Sequence, residues 1–426
     1  MKNHYYTFLI FFIFTASAFS QTFTLDADIR PRFEYRHGFG NLFPDNTDPA
    51  AFVTQRSRLN FGYAADRLQV MVSVQDVSTW GDTRQILIND GNDSFSLFQA
   101  WARMQLSDNW AAKVGRQVIS YDDQRIFGGL DWAMQGRFHD AALLQYNKGS
   151  FAMDMGFAYG QEEQRLFGSP YMISGFFTYK TMQYAHLKKT WTNSAVSLLF
   201  LNNGFQKFTG PDGNVADGVY NRQTAGSYFQ FPLSSLKFSG SAYYQFGQAT
   251  PSQDLSAYQV SLEGIYKPGS TLFGLGAEFL SGTDQGSTGD NNSFFPLYGT
   301  NHKFNGFMDY FYVGNHANNV GLNDFYAKTV FKTGATSSLL LKAHYFSSNA
   351  DLAGDADNYL GTEIDVVFTR PVVKNVVLNL GYSHMFASES MSLIKGGTTN
   401  ENTNNWGWAQ LIINPRIFQF QFNAED

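Results

Sequence analysis

Apolar and polar positions alternate with a period of two over segment after segment of this chain. In Thr271 to Gly282, Phe273, Leu275, Ala277 and Phe279 fall on one face, and Gly274, Gly276 and Glu278 on the other. In Tyr359 to Thr369, Ile364, Val366 and Phe368 alternate with Glu363, Asp365 and Thr369. Successive side chains of a strand point to opposite faces, so each segment reads as a strand with one apolar and one polar face. A lipid-spanning strand needs about 9–11 residues of this kind. Carboxylates two residues apart are costly against hydrocarbon and easily solvated in a wet lumen. About eighteen such segments are predicted, starting near Thr22, Ala51, Leu68, Ser94, Trp110, Arg137, Phe151, Phe176, Asn193, Val219, Leu236, Asp254, Thr271, Asn323, Ser337, Tyr359, Asn375 and Asn405. The fold class that follows is all-β: a transmembrane antiparallel β-barrel of about 18 strands, within a range of about 16–20.

The connections alternate in length. Long ones are predicted at His37–Ala50, Gly81–Asp93, Asp122–Gln135, Gln161–Gly175, Asn203–Gly218, Gly282–Leu322, Ser348–Asn358 and Glu389–Asn404. Between them lie tight turns, among them Ala65-Asp66, Lys148-Gly149, Pro268-Gly269 and Thr333-Gly334. Short periplasmic turns and longer extracellular loops are the habit of outer-membrane barrels, and a soluble sandwich has no reason to alternate so. The connection near Ala249–Gln253 is expected to be short. Phe418, Phe420 and Phe422 mark an outward-facing last strand. Gly282–Leu322 carries too many aromatics for a solvated loop, so it is expected to fold over or into the barrel mouth as a lid. The alternative is a further strand pair, raising the count to about twenty.

The N-terminus sets the compartment. Lys2, the apolar run Tyr5 to Phe14 and the small residues around Ala18 and Ser20 read as a secretory signal peptide. The apolar run is too short to cross about 30 Å of hydrocarbon. The expected division is a signal peptide over 1–20 and a barrel over 21–426, placed in the outer membrane of a Gram-negative bacterium. The chain has no cysteine, so it was not built as a disulfide scaffold. Aromatics make up 17% and charged residues only 15%, with 42 Phe, 23 Tyr and 39 Gly. That composition fits aromatic girdles around polar inner walls. The net charge of −6 argues against nucleic acid as a partner.

The charge is unevenly placed. Eleven of the fifteen arginines lie between residues 21 and 140, where Lys113 is the single lysine. Arg30, Arg32 and Arg36 share a face, with Glu34 among them; Arg56 and Arg58 share a face on the next strand. Arg103 shares a face with Gln99 and Gln105, opposite Ala100, Ala102 and Met104. Charges that alternate with apolar residues on a membrane strand face the lumen. Two roles are open for them. They form a ladder for anionic solutes, since guanidinium donates bidentately and stays charged. Or they pair with wall carboxylates such as Asp28 and Glu34 and stiffen the barrel.

Catalysis has little support. The histidines show no metal-ligand spacing, and His384 and Ser383, as strand neighbours, point to opposite sides. His139 and His344 read as polar lumen residues. Asp355, Asp357 and Asn358 lack the downstream pattern of a calcium loop and read as a solvated acidic loop. No cofactor or metal is implied.

One stretch carries a resemblance. Gly115-Arg116-Gln117-Val118-Ile119-Ser120-Tyr121-Asp122-Asp123-Gln124-Arg125-Ile126-Phe127-Gly128, then Trp132 and Gly136-Arg137-Phe138-His139-Asp140, resembles the alginate export family of outer-membrane barrels, with His139 interrupting the last element. Tyr298 to Asp309 is similar to a second element of that family. The resemblance implies a monomeric eighteen-stranded barrel with an arginine-rich constriction, the exit route of an anionic polysaccharide. It adds Arg116, Arg125 and Arg137 to the expected pore residues. Arg116 shares parity with Val114 and Val118, so only a bulge at Gly115 would turn it inward.

The expected function is a non-enzymatic channel for anionic or polar saccharides, or other small polar solutes, acting as a monomer in outer-membrane lipid and open to periplasmic partners. The alternatives are a general or small-acid-selective porin and, in another class, a structural or adhesive barrel with a closed lumen.

Overall fold

The computed structural model describes residues 21–85, 94–173, 178–212, 214–311, 320–395 and 399–422. The expected signal peptide (1–20), most of the loop expected at Gly81–Asp93 and residues 423–426 lie outside them. The wall begins with β1 (Gln21–His37), β2 (Ala50–Ala64), β3 (Leu68–Thr79), β4 (Phe95–Gln105), β5 (Trp110–Gln117) and β6 (His139–Lys148). It continues through β7 (Phe151–Tyr159), β8 (Thr181–Thr190), β9 (Ala195–Thr209), β10 (Val215–Leu233), β11 (Leu236–Thr250) and β12 (Gln253–Tyr266). The last third is β13 (Leu272–Leu280), β14 (Leu322–Lys332), β15 (Ser338–Ser347), β16 (Tyr359–Val373), β17 (Val376–Ala387) and β18, in two pieces, Asn404–Ile413 and Arg416–Phe422.

Each strand pairs antiparallel with its chain neighbours, and both pieces of β18 pair with β1, which closes the barrel at eighteen strands. Pro415 interrupts β18 because it has no N–H to give the ladder. Its carbonyl still accepts from Ala27 N at 3.0 Å, so the closure is continuous.

The alternation read in the sequence sorts the two faces. On β13, Phe273 and Leu275 are exposed, Leu275 by 70%, while Glu278 is buried. On β16, Glu363 and Asp365 are fully buried and Ile364 is exposed. The outer face carries the large apolar side chains and the inner face the charges, the arrangement that lipid outside and a polar interior require.

Tight connections gather at one end of the barrel and long ones at the other, with two exceptions among the long set. The β11–β12 turn is short, as expected. Asn203–Gly218, expected to be a loop, is mostly strand: Thr209 pairs with Val215 at the tip of an extended hairpin. Its Asn and Gly residues suggested a loop, but cross-strand pairing absorbs them through a bulge between Ala216 and Val219. β8 begins at Thr181 rather than near Phe176, which lies outside the described residues. The segment 281–321 holds no strand among its described residues, so the count stays at eighteen. A tag inserted at Asp212, on the β9–β10 tip, should be labelled on whole cells. Tags at Pro268-Gly269 or Thr333-Gly334 should be labelled only after the outer membrane is opened. The opposite pattern would invert the barrel.

Candidate functional site

Two long connections from the loop end fold inward and meet inside the barrel. The first, residues 118–138, crosses from the β1–β3 wall to β13. Asp131 accepts from Arg30 at 2.9 Å and Arg56 at 3.0 Å. The Gln135 carbonyl accepts from Gln75 at 3.0 Å. Asp122 is held by His186 at 2.9 Å, Lys188 at 3.0 Å and Ser197 at 2.5 Å. Arg125 donates to Glu278 at 2.5 Å and Asn305 at 2.8 Å, with Phe304 against its guanidinium.

The second insert, residues 281–321, docks on the first. Gly128 N donates to Tyr298 O, Thr300 N to Gln124 O, and Arg137 to Gly299 O. Its tip reaches the wall where Met308 N meets Glu363 at 2.8 Å and Tyr310 O–H meets Gly38 O at 2.5 Å. Ile126, Phe127, Leu297, Tyr298, Met308 and Tyr310 are buried together. The two inserts therefore share a hydrophobic core that continues onto apolar residues of the inner wall such as Met182, Tyr184 and Leu201. Charge-assisted bonds at the rim and apolar burial at the centre hold it in register. The lid expected over 282–322 is thus inside the barrel rather than above it; Tyr312 lies outside the described residues.

The inserts divide the remaining space. A cavity of about 380 Å3 lies on the loop side, against Arg32, Glu34, Arg36, Phe39, Phe52 and Trp132. Another of about 370 Å3 lies on the turn side, against Asp123, Glu263, Lys303, Tyr326, Lys328 and Lys342. In the inserted loop, burial pushes the Asp123 carboxyl up to about 6, against the opposing pull of Arg125 and Lys303. The surrounding barrel works to raise Asp131 by partial desolvation even though its side chain is open to the lumen, and Arg30 and Arg56 hold it below the usual carboxylate range.

The wall arginines face inward as the alternation predicted, and most are engaged. Arg30 and Arg56 share Asp28 and Asp131, a group of four whose formal charges cancel. Arg32 and Arg36 flank the buried Glu34, at 2.9 and 2.8 Å, leaving that trio one positive charge in excess. Arg58 and Arg103 bond to neutral amides instead, Gln75 at 2.6 Å and Gln145 at 3.0 Å. Arg36 stacks near Phe39 at 4.2 Å and Phe52 at 4.9 Å. Trp132 lies between Arg32, at 4.1 Å, and the His302 ring, at 4.3 Å.

Arg116 requires a correction. It pairs in register with Asp140 and Ala100, between the inward Gln117 and the backbone of Gly115. Gly115 has φ +118° but does not reverse the parity. Arg116 therefore points to the outer face, bonded through two nitrogens to Asp140 at 2.9 Å each and stacked on Phe138. Arg125 and Arg137 are inside, but on the insert and at its end rather than on the wall. Sequence reasoning did not find Asp131, Glu278, Asn305 or Trp132 as partners of the arginines. His139 and His344 are buried on the inner face, and Ser383 and His384 point apart, as expected.

Residues 21–161 match the model of the alginate export family. No curated protein sequence matches the chain. Solved structures with the same fold include OccK3 (OpdO) of Pseudomonas aeruginosa, at TM-score 0.60 and 12% identity, covering 93% of this chain and 96% of that one. OpdK of the same organism, solved with vanillate, aligns at TM-score 0.58 and 11% identity, over 95% and 99%. A BenF-like porin from Pseudomonas fluorescens Pf-5 aligns at 0.58 and 13%, over 94% and 98%. The chain thus has the closed eighteen-stranded fold of outer-membrane porins.

Proposed function

We propose that this protein is an outer-membrane channel for small anionic or polar solutes, saccharides among them, delivered by a cleaved signal peptide and working as a monomer. The observation that carries the reading is the loop-side cavity, where the Arg32–Glu34–Arg36 trio, itself one positive charge in excess, faces aromatic rings and hydroxyls inside a polar barrel, with Asp82 and Asp309 also on the lining. Guanidinium recognises carboxylates bidentately, and Thr54 and Thr79 bring hydroxyls to the same lining, where those of Ser78 and Ser94 donate to Asp76. In this reading Arg32, Arg58, Arg103 and Arg137 add to the positive character of the lumen, Arg30, Arg56 and Arg125 are balanced by Asp28, Asp131 and Glu278, and Arg116 is left out of it.

The direct test is conductance of purified protein in a planar bilayer. Steady current blocked by uronate oligomers supports saccharide passage. Unblocked current supports a general porin, and no current supports a closed structural barrel. A second reading, a small-acid-selective porin, is favoured by Phe39, Phe52 and Trp132 around Arg36. It is in keeping with the vanillate in the OpdK structure, an aromatic carboxylate. It predicts block by aromatic carboxylates instead.

Arg36→Gln isolates the charge. It leaves Glu34 bonded to Arg32 at 2.9 Å and to Trp406 at 3.1 Å, so no buried carboxylate is stranded. The barrel should fold normally. The reversal potential in a salt gradient should move toward cations, and the difference should shrink in about 1 M salt, where the Debye length falls to about 3 Å. An unchanged reversal potential at low salt would remove Arg36 from the selectivity of the pore.

A further inference from the structure

The β7–β8 connection does not rise from the rim into open water. Its residues 160–173 lean over the outer face of the wall. Tyr159 is on the outward side of β7, since Gly156 and Ala158 are buried and Phe157 is exposed. Its hydroxyl donates to Ser169 Oγ at 2.7 Å. Gln206 is on the outward side of β9, where its strand partner is the exposed Val219, and it accepts from Tyr171 N at 3.2 Å. Lys180 ties the fold together, donating to Gly160 O at 2.9 Å and Ser169 O at 2.5 Å, over the Tyr159 ring.

This position has a definite height. Strand β7 has nine residues from the tight turn to Tyr159. At about 3.3 Å per residue and a tilt of about 40°, Tyr159 stands roughly 23 Å above the turn, near the top of an apolar band about 25 Å tall. The loop beside it turns its most apolar residues away from the protein: Leu166 is 92% exposed and Phe167 90%. Met172 and Ile173 are exposed behind them. Arg165, next in chain, pairs with Glu162 and Glu163, a charged collar suited to headgroup level.

We infer that Leu166 and Phe167 form a hook inserted in the outer leaflet of the membrane, anchoring the β7–β8 loop against the barrel flank. The occupant of this surface is lipid, because Tyr159 and Gln206 tie the loop to the lipid-facing side of the wall, beside the exposed Phe157 and Val219. Amphipathic segments at that depth bury their apolar side chains at the headgroup–acyl boundary. The inference rests on the outer-membrane reading of the barrel.

The test uses the whole chain, whose lack of cysteine makes single thiols clean reporters. Phe167→Cys, Phe157→Cys and Asp212→Cys are each labelled with an environment-sensitive nitrobenzoxadiazole dye. The proteins are then refolded into phosphatidylcholine vesicles, with heat-modified gel mobility confirming the barrel. Nitroxide-bearing lipid should quench the dye at 167 to an extent comparable with that at 157, and iodide should quench the dye at 212. Quenching at 167 by iodide alone overturns the hook. Protection at 167 from both quenchers also overturns it, pointing to protein contact. A dye at 157 that lipid does not quench would instead overturn the membrane reading itself, which separates the two failures.

Discussion

Excising residues 284–319 and joining the ends by a short glycine–serine turn should raise single-channel conductance several-fold while leaving the barrel folded. The geometry of the neck allows the excision. Leu280 pairs with Leu322 across β13 and β14, and Gly282 lies so close to the backbone of Val320 and Gly321 that it has no room for a side chain. The insert therefore enters and leaves through one narrow point, and its removal shortens a hairpin at the cost of the two backbone bonds that tie Asn291 to Asp254 and Ser256 at the start of β12. Its loss also strips Tyr298, Met308 and Tyr310 from the core they share with Phe127. The first insert would then lose the bonds from Tyr298 O to Gly128 and from Gly299 O to Arg137. Both obstructions should loosen together, so the rise should exceed what the deleted volume alone explains. Planar-bilayer recording checks it, with heat-modified gel mobility as the control for folding. A folded variant of unchanged conductance would mean that solutes pass around the inserts.

The second large effect concerns the latch between the first insert and the wall. Arg56 is fully buried, with Asp28 at 2.5 Å and Asp131 at 3.0 Å. Breaking a buried ion pair typically costs about 3–5 kcal/mol, because it strands a charge. Here Arg30 still faces both carboxylates, and the Asp131 side chain is largely open to the lumen. The smaller figure for lost charge-assisted bonds then governs, on the order of 2 kcal/mol for Arg56→Gln. Urea unfolding in lipid vesicles should show it as a lowered midpoint. Asp131→Asn should behave differently. It removes the charged part of the insert's anchor, keeps the bonds of Arg30, Arg32 and Gln75 to the carbonyls of Asp131, Trp132 and Gln135, and leaves Asp28 to both arginines, so the midpoint should barely move while single-channel current becomes noisier and larger on average. If Asp131→Asn leaves the current as quiet as before, the arginines stiffen the wall without positioning the insert.

These two results would also decide between the roles that the arginine pattern leaves open. Arg30 and Arg56 spend their charge on Asp28 and Asp131, which makes them structural in the first place. Arg36 belongs to a trio with one charge in excess, beside a cavity that Asp82 and Asp309 also line, and Arg58 and Arg103 rest on neutral amides. In the proposed channel the ladder and the stiffening role would then fall to different residues.

The wall was legible in the sequence because a strand's period and its turn chemistry are local. Every one of the eighteen predicted starts has a strand close to it, and Glu363 and Asp365 could be assigned to the inner face from alternation alone. The aromatic surplus of 282–322 announced burial for the same reason: apolar surface must be covered wherever the segment ends up. What covers it was decided by tertiary structure. Asp131 meets Arg30 across 101 residues, and Arg125 meets Glu278 across 153. No spacing rule reaches that far, so the inward course of 118–138 and the partners of its charges had no local signature. Arg116 failed for a subtler reason. Its parity indicated the outer face, and the family motif suggested the pore; Gly115 takes a positive φ within a register that stays unbroken. Asn203–Gly218 misled through composition, since Asn and Gly favour turns in isolation but tolerate a strand once a neighbouring strand supplies the ladder.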